Sequence, residues 1–288
     1  AKVSTLAHLE AIAKHDVLII SDADVRVPAD LVSQVVPQLS VPGVGLVNCF
    51  YRFANPSNWA MRLEAVATNA DFWSQVLQAQ SLKPLDFALG AVMATTRTQL
   101  EKIGGFMALV DYLADDYQLG HRIARNGGRI ALSPVVVECW SAPMNWKEVW
   151  THQLRWARTI RVCQPVSYFL SILNNGTLWA LLFCFFGPAP SFGWGVSGWG
   201  ANDYGGVFHF RTSCSLLMLG AWLFVRCFCA GLLQERLTRR NMDVLSGLLA
   251  PIYDLIRVPI WALSFSGNRI TWRGNRFRVE PGGKLVRD

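Results

Sequence analysis

The sequence is short of charge and of paired cysteine. Asp, Glu, Lys and Arg make up 16% of its 288 residues, where an ordinary globular chain carries about 25%. Hydrophobic residues reach 52%, which is apolar for a soluble protein of this length. The excess falls in the second half, where acids are also scarce, because most of the 20 acidic residues precede residue 120. The seven cysteines contain no C-x-x-C pair and cannot all pair with one another. That argues against a zinc ribbon or a disulfide framework and for reduced core or membrane residues. No stretch at the start reads as a signal peptide, and no internal repeat is visible.

What charge there is leans positive, with a formal net of +7. It gathers at Arg155/Arg158/Arg161, Arg236/Arg239/Arg240 and Arg269/Arg273/Arg276/Arg278. Basic clusters beside apolar spans mark a cytoplasmic membrane face rather than a nucleic-acid surface. The length admits one or two domains.

The first half alternates helical and strand patterns. Apolar residues at spacings of three predict a helix over 1–13. The run "VLII" predicts a strand over 17–20, and Pro28-Ala29-Asp30 opens a helix reaching about 39. Strands are predicted over 44–49, over 87–97 around Gly90, and within "RIALSPVVVECW". Helices are predicted over 62–80, before Gly104-Gly105, and over "ADDYQLGHRIARNG", which starts acidic and stops at glycine. This alternation predicts an α/β domain with a largely parallel sheet. Ligands in such sheets bind at the carboxyl ends of strands.

Beyond residue 165 the pattern changes. Segment 166–187 carries no charge and is long enough to span a bilayer. A second candidate, 214–233, carries only Arg226. A third, 244–265, is interrupted by Pro251, Asp254, Arg257 and Pro259. Charges at a bilayer centre are costly and prolines break helices. The third segment is therefore expected to lie as a broken interfacial or re-entrant helix, leaving the basic tail in the cytoplasm near the active site. The connector 188–213 would be outside and the basic connector 234–243 inside. The domains expected are 1–144 (catalytic), 145–163 (an amphipathic interfacial helix), 164–233 (two transmembrane helices) and 234–288 (loop, interfacial helix and tail).

Three clusters can carry chemistry. Asp22 and Asp24, two residues apart after the first strand, can share a hard divalent cation such as Mg2+ or Mn2+; equally, Asp24 or Asp30 can serve as a helix cap. Asp115 and Asp116 open a helix, where a carboxylate can take a proton from an attacking hydroxyl or simply cap. In "HQLRWARTIR", Arg155 and Arg158 suit phosphate, and Trp146, Trp150 and Trp156 suit a bilayer interface. That segment also fits a basic helix resting on anionic lipid.

In order, "SDAD", "FALG", "GGF", "ADDYQLG" and "HQLRW" resemble the membrane glycosyltransferases of the ceramide glucosyltransferase family (family 21, close to the large family 2), over about residues 2–161. The tail "WRGNRFRVEPGGKLV" looks most like bacterial hopanoid-associated members. The resemblance implies a GT-A-like (Rossmann-like) domain followed by a helical transmembrane region. It implies metal binding at Asp22 and Asp24, with Asp116 as the base and Arg155 and Trp156 as the R-W of a (Q/R)-x-x-R-W box. Lys2 would lie near the nucleotide diphosphate and Gly90 beside the donor sugar, with Asp115 and His152 also contacting substrate. His152 departs from the Gln or Arg of the box. The family's first Asp, its uracil-gripping strands and an N-terminal anchor are absent, so the chain is expected to lack its beginning.

The activity so implied is inverting transfer of a sugar (glucose or N-acetylglucosamine) from a UDP-sugar to a hydroxyl of a membrane lipid (ceramide or hopanoid). The setting expected is the cytoplasmic face of a bacterial inner membrane, with no nucleic-acid partner. Two other readings stand beside it. "IISDADV" also fits a haloacid-dehalogenase-type phosphatase, and a truncated domain can be a non-catalytic membrane-binding protein.

Overall fold

A computed structural model describes residues 2–186, 204–239, 244–272 and 275–287. The 188–203 part of the expected outer connector, together with Gly187, Arg240 and Arg273, lies outside the described residues. The first half folds as α1 (Lys2–Ile12), β1 (Val17–Ser21), β2 (Val25–Arg26), α2 (Leu31–Leu39), β3 (Val44–Phe53), α3 (Trp59–Val66), a π-helical stretch (Ala67–Phe72), α4 (Trp73–Leu82), β4 (Val92–Thr96), α5 (Arg97–Lys102), α6 (Asp115–Arg125) and β5 (Arg129–Cys139). Then come α7 (Trp146–Cys163), α8 (Pro165–Leu170), α9 (Gly176–Phe186), α10 (Tyr204–Thr238), α11 (Val244–Ser264), and β6 (Arg269–Trp272), β7 (Asn275–Val279) and β8 (Leu285–Arg287).

The main sheet has the order β1-β4-β3-β5-β2. Only β3 and β5 form a parallel pair, while β4 runs antiparallel to both its neighbours and β2 antiparallel to β5. This corrects the largely parallel sheet expected from the alternation. Strands β1, β3 and β5 do point the same way, but antiparallel β4 is threaded between the first two, a placement no local pattern reveals. The strand expected over 87–97 begins only at Val92, since the Leu89 N–H is taken by the Asn48 side chain (3.1 Å) instead of a strand partner. Pro134 is tolerated within β5 because the β3 register slips between Cys49 and Phe50 there, and bulges are where proline fits a sheet. The core lies between sheet and helices, with Val35, Leu46, Val47, Val92, Ile123 and Val137 sealed from solvent.

The apolar second half departs from expectation in a paired way. The segment expected to cross unbroken is bent by 51° between Pro165–Asn174 and Gly176–Phe186. The cause is "NNG": Asn175 leaves the helix and its Oδ1 caps the next one, accepting from the Leu178 N–H (3.1 Å). Gly176 then leaves room for the Trp222 ring of α10 against the start of α9. Conversely, the segment expected to be broken is one continuous helix, α11, that carries Pro251 and Pro259 inside it. Ser215–Thr238 and Val244–Ser264 are each long and apolar enough to cross a membrane.

The charges within these helices are paired. Arg226 of α10 makes a fork with Asp254 of α11, Nε to Oδ2 at 2.8 Å and the second nitrogen to Oδ1 at 2.7 Å. Arg257 holds both oxygens of Asp71, in the π-helical stretch, at 2.9 and 3.0 Å. The two pairs meet, since Arg226 also lies 3.7 Å from Asp71. Arg257 reaches the Ser171 carbonyl (3.0 Å), and Asp254 receives the Thr177 hydroxyl (2.6 Å) and, at its own carbonyl, the Asn175 amide (2.6 Å). Two buried carboxylates and two largely buried arginines thus tie the α/β domain to α10, α11 and the bend.

Removing one partner of such a network strands a buried charge, which costs about 3–5 kcal/mol. Arg257→Met and Asp71→Asn should each lower the thermal unfolding midpoint in detergent sharply. The double variant should lose much less than the sum. Strict additivity across that double-mutant cycle would show that the two side chains do not act as a pair.

Candidate active site

The sheet directions put the candidate residues at one end. The carboxyl end of β1 delivers Asp22, whose N–H donates to the Ala91 carbonyl (3.1 Å) just ahead of antiparallel β4. The Asp24 carbonyl accepts from the Trp140 N–H (2.9 Å), at the carboxyl end of β5. The turn between β1 and β2 therefore spans from β4 to β5, and its two side chains sit over that edge. Asp24 is exposed, with no hydrogen-bond partner for its carboxylate among the described residues.

Asp22 is engaged by Lys2, which reaches from α1 to 2.6 Å from its Oδ1 and 3.4 Å from Asp115 Oδ2. Burial alone would lower the Lys2 pKa, but Asp115 and Asp22 together raise it, so the ammonium is held charged. Asp22 is pushed up by burial, against the pull of Lys2.

Asp116, in the first turn of α6, is pushed up to about 6 by burial and by its neighbour Asp115. The Tyr117 N–H, 2.8 Å from its Oδ1, works in the opposite direction. Its other oxygen rests against Gly90, where an added Cβ would come within 2.7 Å of Oδ2. Gly90 is therefore the floor on which this carboxyl lies. Neither Asp24 nor Asp116 caps a helix: α2 follows Asp30 and α6 follows Ala114, neither with a side-chain cap bond.

Helix α7 lies across this end. A full capping box, Asn145 with Glu148, starts it. Its far end is tied to α6 through the Gln164 amide and the Tyr117 hydroxyl (2.8 Å). The Cys163 thiol is pushed up to about 12 by burial and by the charge of Asp116. Trp156, seven residues before Cys163, shares its face at a distance of about 10 Å along the axis. Its ring lies 6.0 Å from Phe72 and 5.1 Å from His152. The Arg155 guanidinium makes no hydrogen bond or close ion pair among the described residues; burial lowers its pKa, and the charge of nearby Glu64 works against that. It is a cation available to a ligand.

The rest of the expected basic patch is otherwise engaged. Arg158 donates to the Arg269 carbonyl (2.6 Å), and Arg161 to Asn268 and across Phe265. Both brace the small sheet β6-β7-β8 rather than offering phosphate contacts. That sheet's hairpin meets the acid-bearing loop: Gln118 donates to the Gly282 carbonyl (2.6 Å) and Leu113 to that of Gly283 (3.1 Å).

His152 does not face the acids. It binds Glu64 Oε1 (2.7 Å), and Gln153 donates to the other oxygen (2.7 Å). Glu64 and Tyr51 are the residues that sequence reasoning missed. Buried Tyr51 is close enough to Asp116 and Asp22 that their charges, after burial, raise its pKa, and its ring lies 5.7 Å from Phe72. Tyr51, Phe72 and Trp156 thus form an aromatic bridge from the acid cluster to the box. Tyr51 sits at the exit of an apolar strand, where nothing but three-dimensional proximity marks it.

Among the described residues no three His, Cys, Asp or Glu side chains form a ready-made metal cage. A hard cation that takes one or two carboxylates and completes its shell with phosphate oxygens and water needs none. The oxygen pair of Asp22 and free Asp24 fits that case.

Gly90→Ala should displace the Asp116 carboxyl while leaving the sheet intact. A misplacement of this size costs on the order of 100-fold in turnover, so kcat should fall by about that much with the unfolding midpoint nearly unchanged. Full activity in Gly90→Ala would remove Asp116 from the chemistry. Set beside known families, the chain matches over residues 1–285 the family model described as glycosyl transferase family 21.

Proposed function

Since the chain belongs to glycosyl transferase family 21, we propose that this glycosyltransferase moves a sugar from a UDP-sugar to a membrane-lipid hydroxyl at the cytoplasmic face, with inversion. The observation that carries the proposal is the seating of Asp116 against Gly90, beside Lys2 and the Asp22/Asp24 turn. A carboxyl seated to take the acceptor's proton suits a single displacement. A phosphatase has no place in this family.

Each side chain has a task in that reaction. Asp22 and Asp24 would hold a divalent cation, Mg2+ or Mn2+, which when bound neutralises charge on a diphosphate. Lys2 and Arg155 add positive charge where the leaving UDP gathers negative charge. Asp116, held near pH 6 by burial, is ionised at neutral pH and accepts the acceptor's proton. Gly90 seats that carboxyl and borders the place of the donor sugar. Trp156 closes the acceptor side.

Membrane attachment fits the same scheme. Helix α11 is docked along its length, Ala250 and Tyr253 against Leu63 and Val66 of α3 and Ile260 against Ala157 of α7. This supports an interfacial placement for α11, with α10 as a span and the tail beside the active site. Where bacterial members of the family act on lipids of the inner membrane, such a chain would sit there with its catalytic domain inside.

The deciding experiment incubates the full chain with a panel of UDP-sugars and lipid extracts and reads glycolipid by mass spectrometry. A single UDP-sugar should yield product, and EDTA or Asp22→Ala should suppress it by orders of magnitude. Full activity of Asp22→Ala in EDTA would end the metal assignment. Asp116→Asn should abolish transfer and spare UDP binding; if Asp115→Asn is the dead variant instead, the base is its neighbour. A base must be deprotonated to act, so transfer should rise with pH through about 6 and level off above about 7. A rate that falls over that range would contradict the role of Asp116.

A further inference from the structure

A cavity of about 380 Å³ opens between α3, α7 and α11. It lies within the range of roughly 300–1,000 Å³ in which small-molecule sites fall. Its mouth is marked by exposed Trp146 and Trp150, with Lys147 between them. Its walls are Leu63, Val149 and Ile260, all buried, and Ile256. At the inner end stand Glu64, 1% exposed, and Gln153. The Glu64 carboxylate takes His152 and Gln153 at 2.7 Å each, and the Tyr253 hydroxyl donates to Gln153 (3.0 Å).

We propose that this cavity binds the acceptor lipid, its aliphatic part along Leu63, Val149 and Ile256 and its polar end at Glu64. The proposal rests on the lipid-acceptor reading above and deepens it. Three features select this occupant. One wall, α11, is a helix apolar enough for a membrane, and its outward side chains Leu248, Ile252 and Leu255 are exposed, so the cavity is continuous with a lipid-facing surface. The mouth carries two indoles and a lysine, the side chains suited to the headgroup level of a bilayer. The inner end is polar in an otherwise apolar space, and an ionised carboxylate has about four lone-pair sites, so Glu64 can accept a hydroxyl in addition to its two present partners. That end also adjoins the box, because His152 on Glu64 lies 5.1 Å from the Trp156 ring. A lipid so held sets its polar end on the α3–α7 seam beside the box and leaves its tail in the membrane. Glu64 is then a positioning residue for acceptor and box alike.

The test is photolabelling of the full chain in nanodiscs with a long-chain 1-alkanol carrying a terminal diazirine, followed by peptide mass spectrometry. Adducts on the peptides of Leu63, Val149 or Ile260 are expected, and excess unlabelled alkanol should compete them away, a readout that needs no variant. Ile256→Trp, which fills the cavity, should reduce labelling and raise the KM for lipid about tenfold, with the KM for UDP-sugar unchanged. Adducts confined to the outer faces of α10 and α11, without competition, would overturn the cavity. Sugar transfer to lipid with no cavity labelling overturns the cavity alone. Cavity labelling with no transfer to any lipid overturns the acceptor reading on which it rests.

Discussion

The joint between the catalytic domain and the apolar helices depends on four buried charges: Asp71, Arg226, Asp254 and Arg257. None of them is affordable alone in an apolar setting, yet Asp254 faces the two-nitrogen fork of Arg226 and Asp71 takes one Arg257 nitrogen on both its oxygens. Their geometry fixes more than the joint. Asp71 sits at the end of the π-helical stretch, and the next two residues, Phe72 and Trp73, pack against Tyr51. Phe72 also packs against Trp156. A π-helical turn holds more residues than an α-helical one and so rotates the side chains beyond it. Successive residues on a helix point about 100° apart or somewhat less, so Asp71 faces α10 and α11 while Phe72 faces Trp156. The ion network and the aromatic bridge are two sides of one irregular turn, so the placement of Trp156 is mechanically linked to the membrane helices.

In the acid cluster, burial and several neighbouring charges act together on Asp22 and Asp116. Lys2 compensates Asp22 and Asp115. Asp116 makes no ion pair with that ammonium, and burial and the charge of Asp115 push it up to about 6. A group left in this state is a usable base near neutral pH, whereas a fully compensated carboxylate would be too weak. The different settings of Asp22 and Asp116 thus come from the reach of one lysine and the absence of a side chain at Gly90.

Much of this was legible in the sequence where the signal is local. The acid turn after an apolar strand, the acid pair opening a helix and the Arg-Trp pair each stand out in a few residues. Family resemblance then orders them, and it alone points to Lys2 and Gly90, which carry no signal of their own. The illegible part is non-local. Glu64 looks like any glutamate on an amphipathic helix, and only the docking of α7 makes it a buried partner of His152. Asp254 and Arg257 read as isolated charges that should break a span, because the partner of Asp254 lies on another helix and that of Arg257 lies 186 positions away in the chain. The bend at Asn175, by contrast, was announced by "NNG" and lost under the apolarity around it.

His152 carries the last step. A box that expects Gln or Arg at this position asks for a side chain able to donate a hydrogen bond from α7. A histidine ring can donate from Nδ1 as well as an amide can, and here the acceptor is Glu64. The next residue, Gln153, supplies an amide to the other carboxylate oxygen. The pair together does what one longer side chain would do: it pins the first turns of α7 to α3 by a carboxylate too buried to find water. With α7 so pinned, the Arg155 guanidinium makes no hydrogen bond among the described residues and lies within the field of the same Glu64 carboxylate. The histidine thus keeps a hydrogen bond from α7 to α3 at this position.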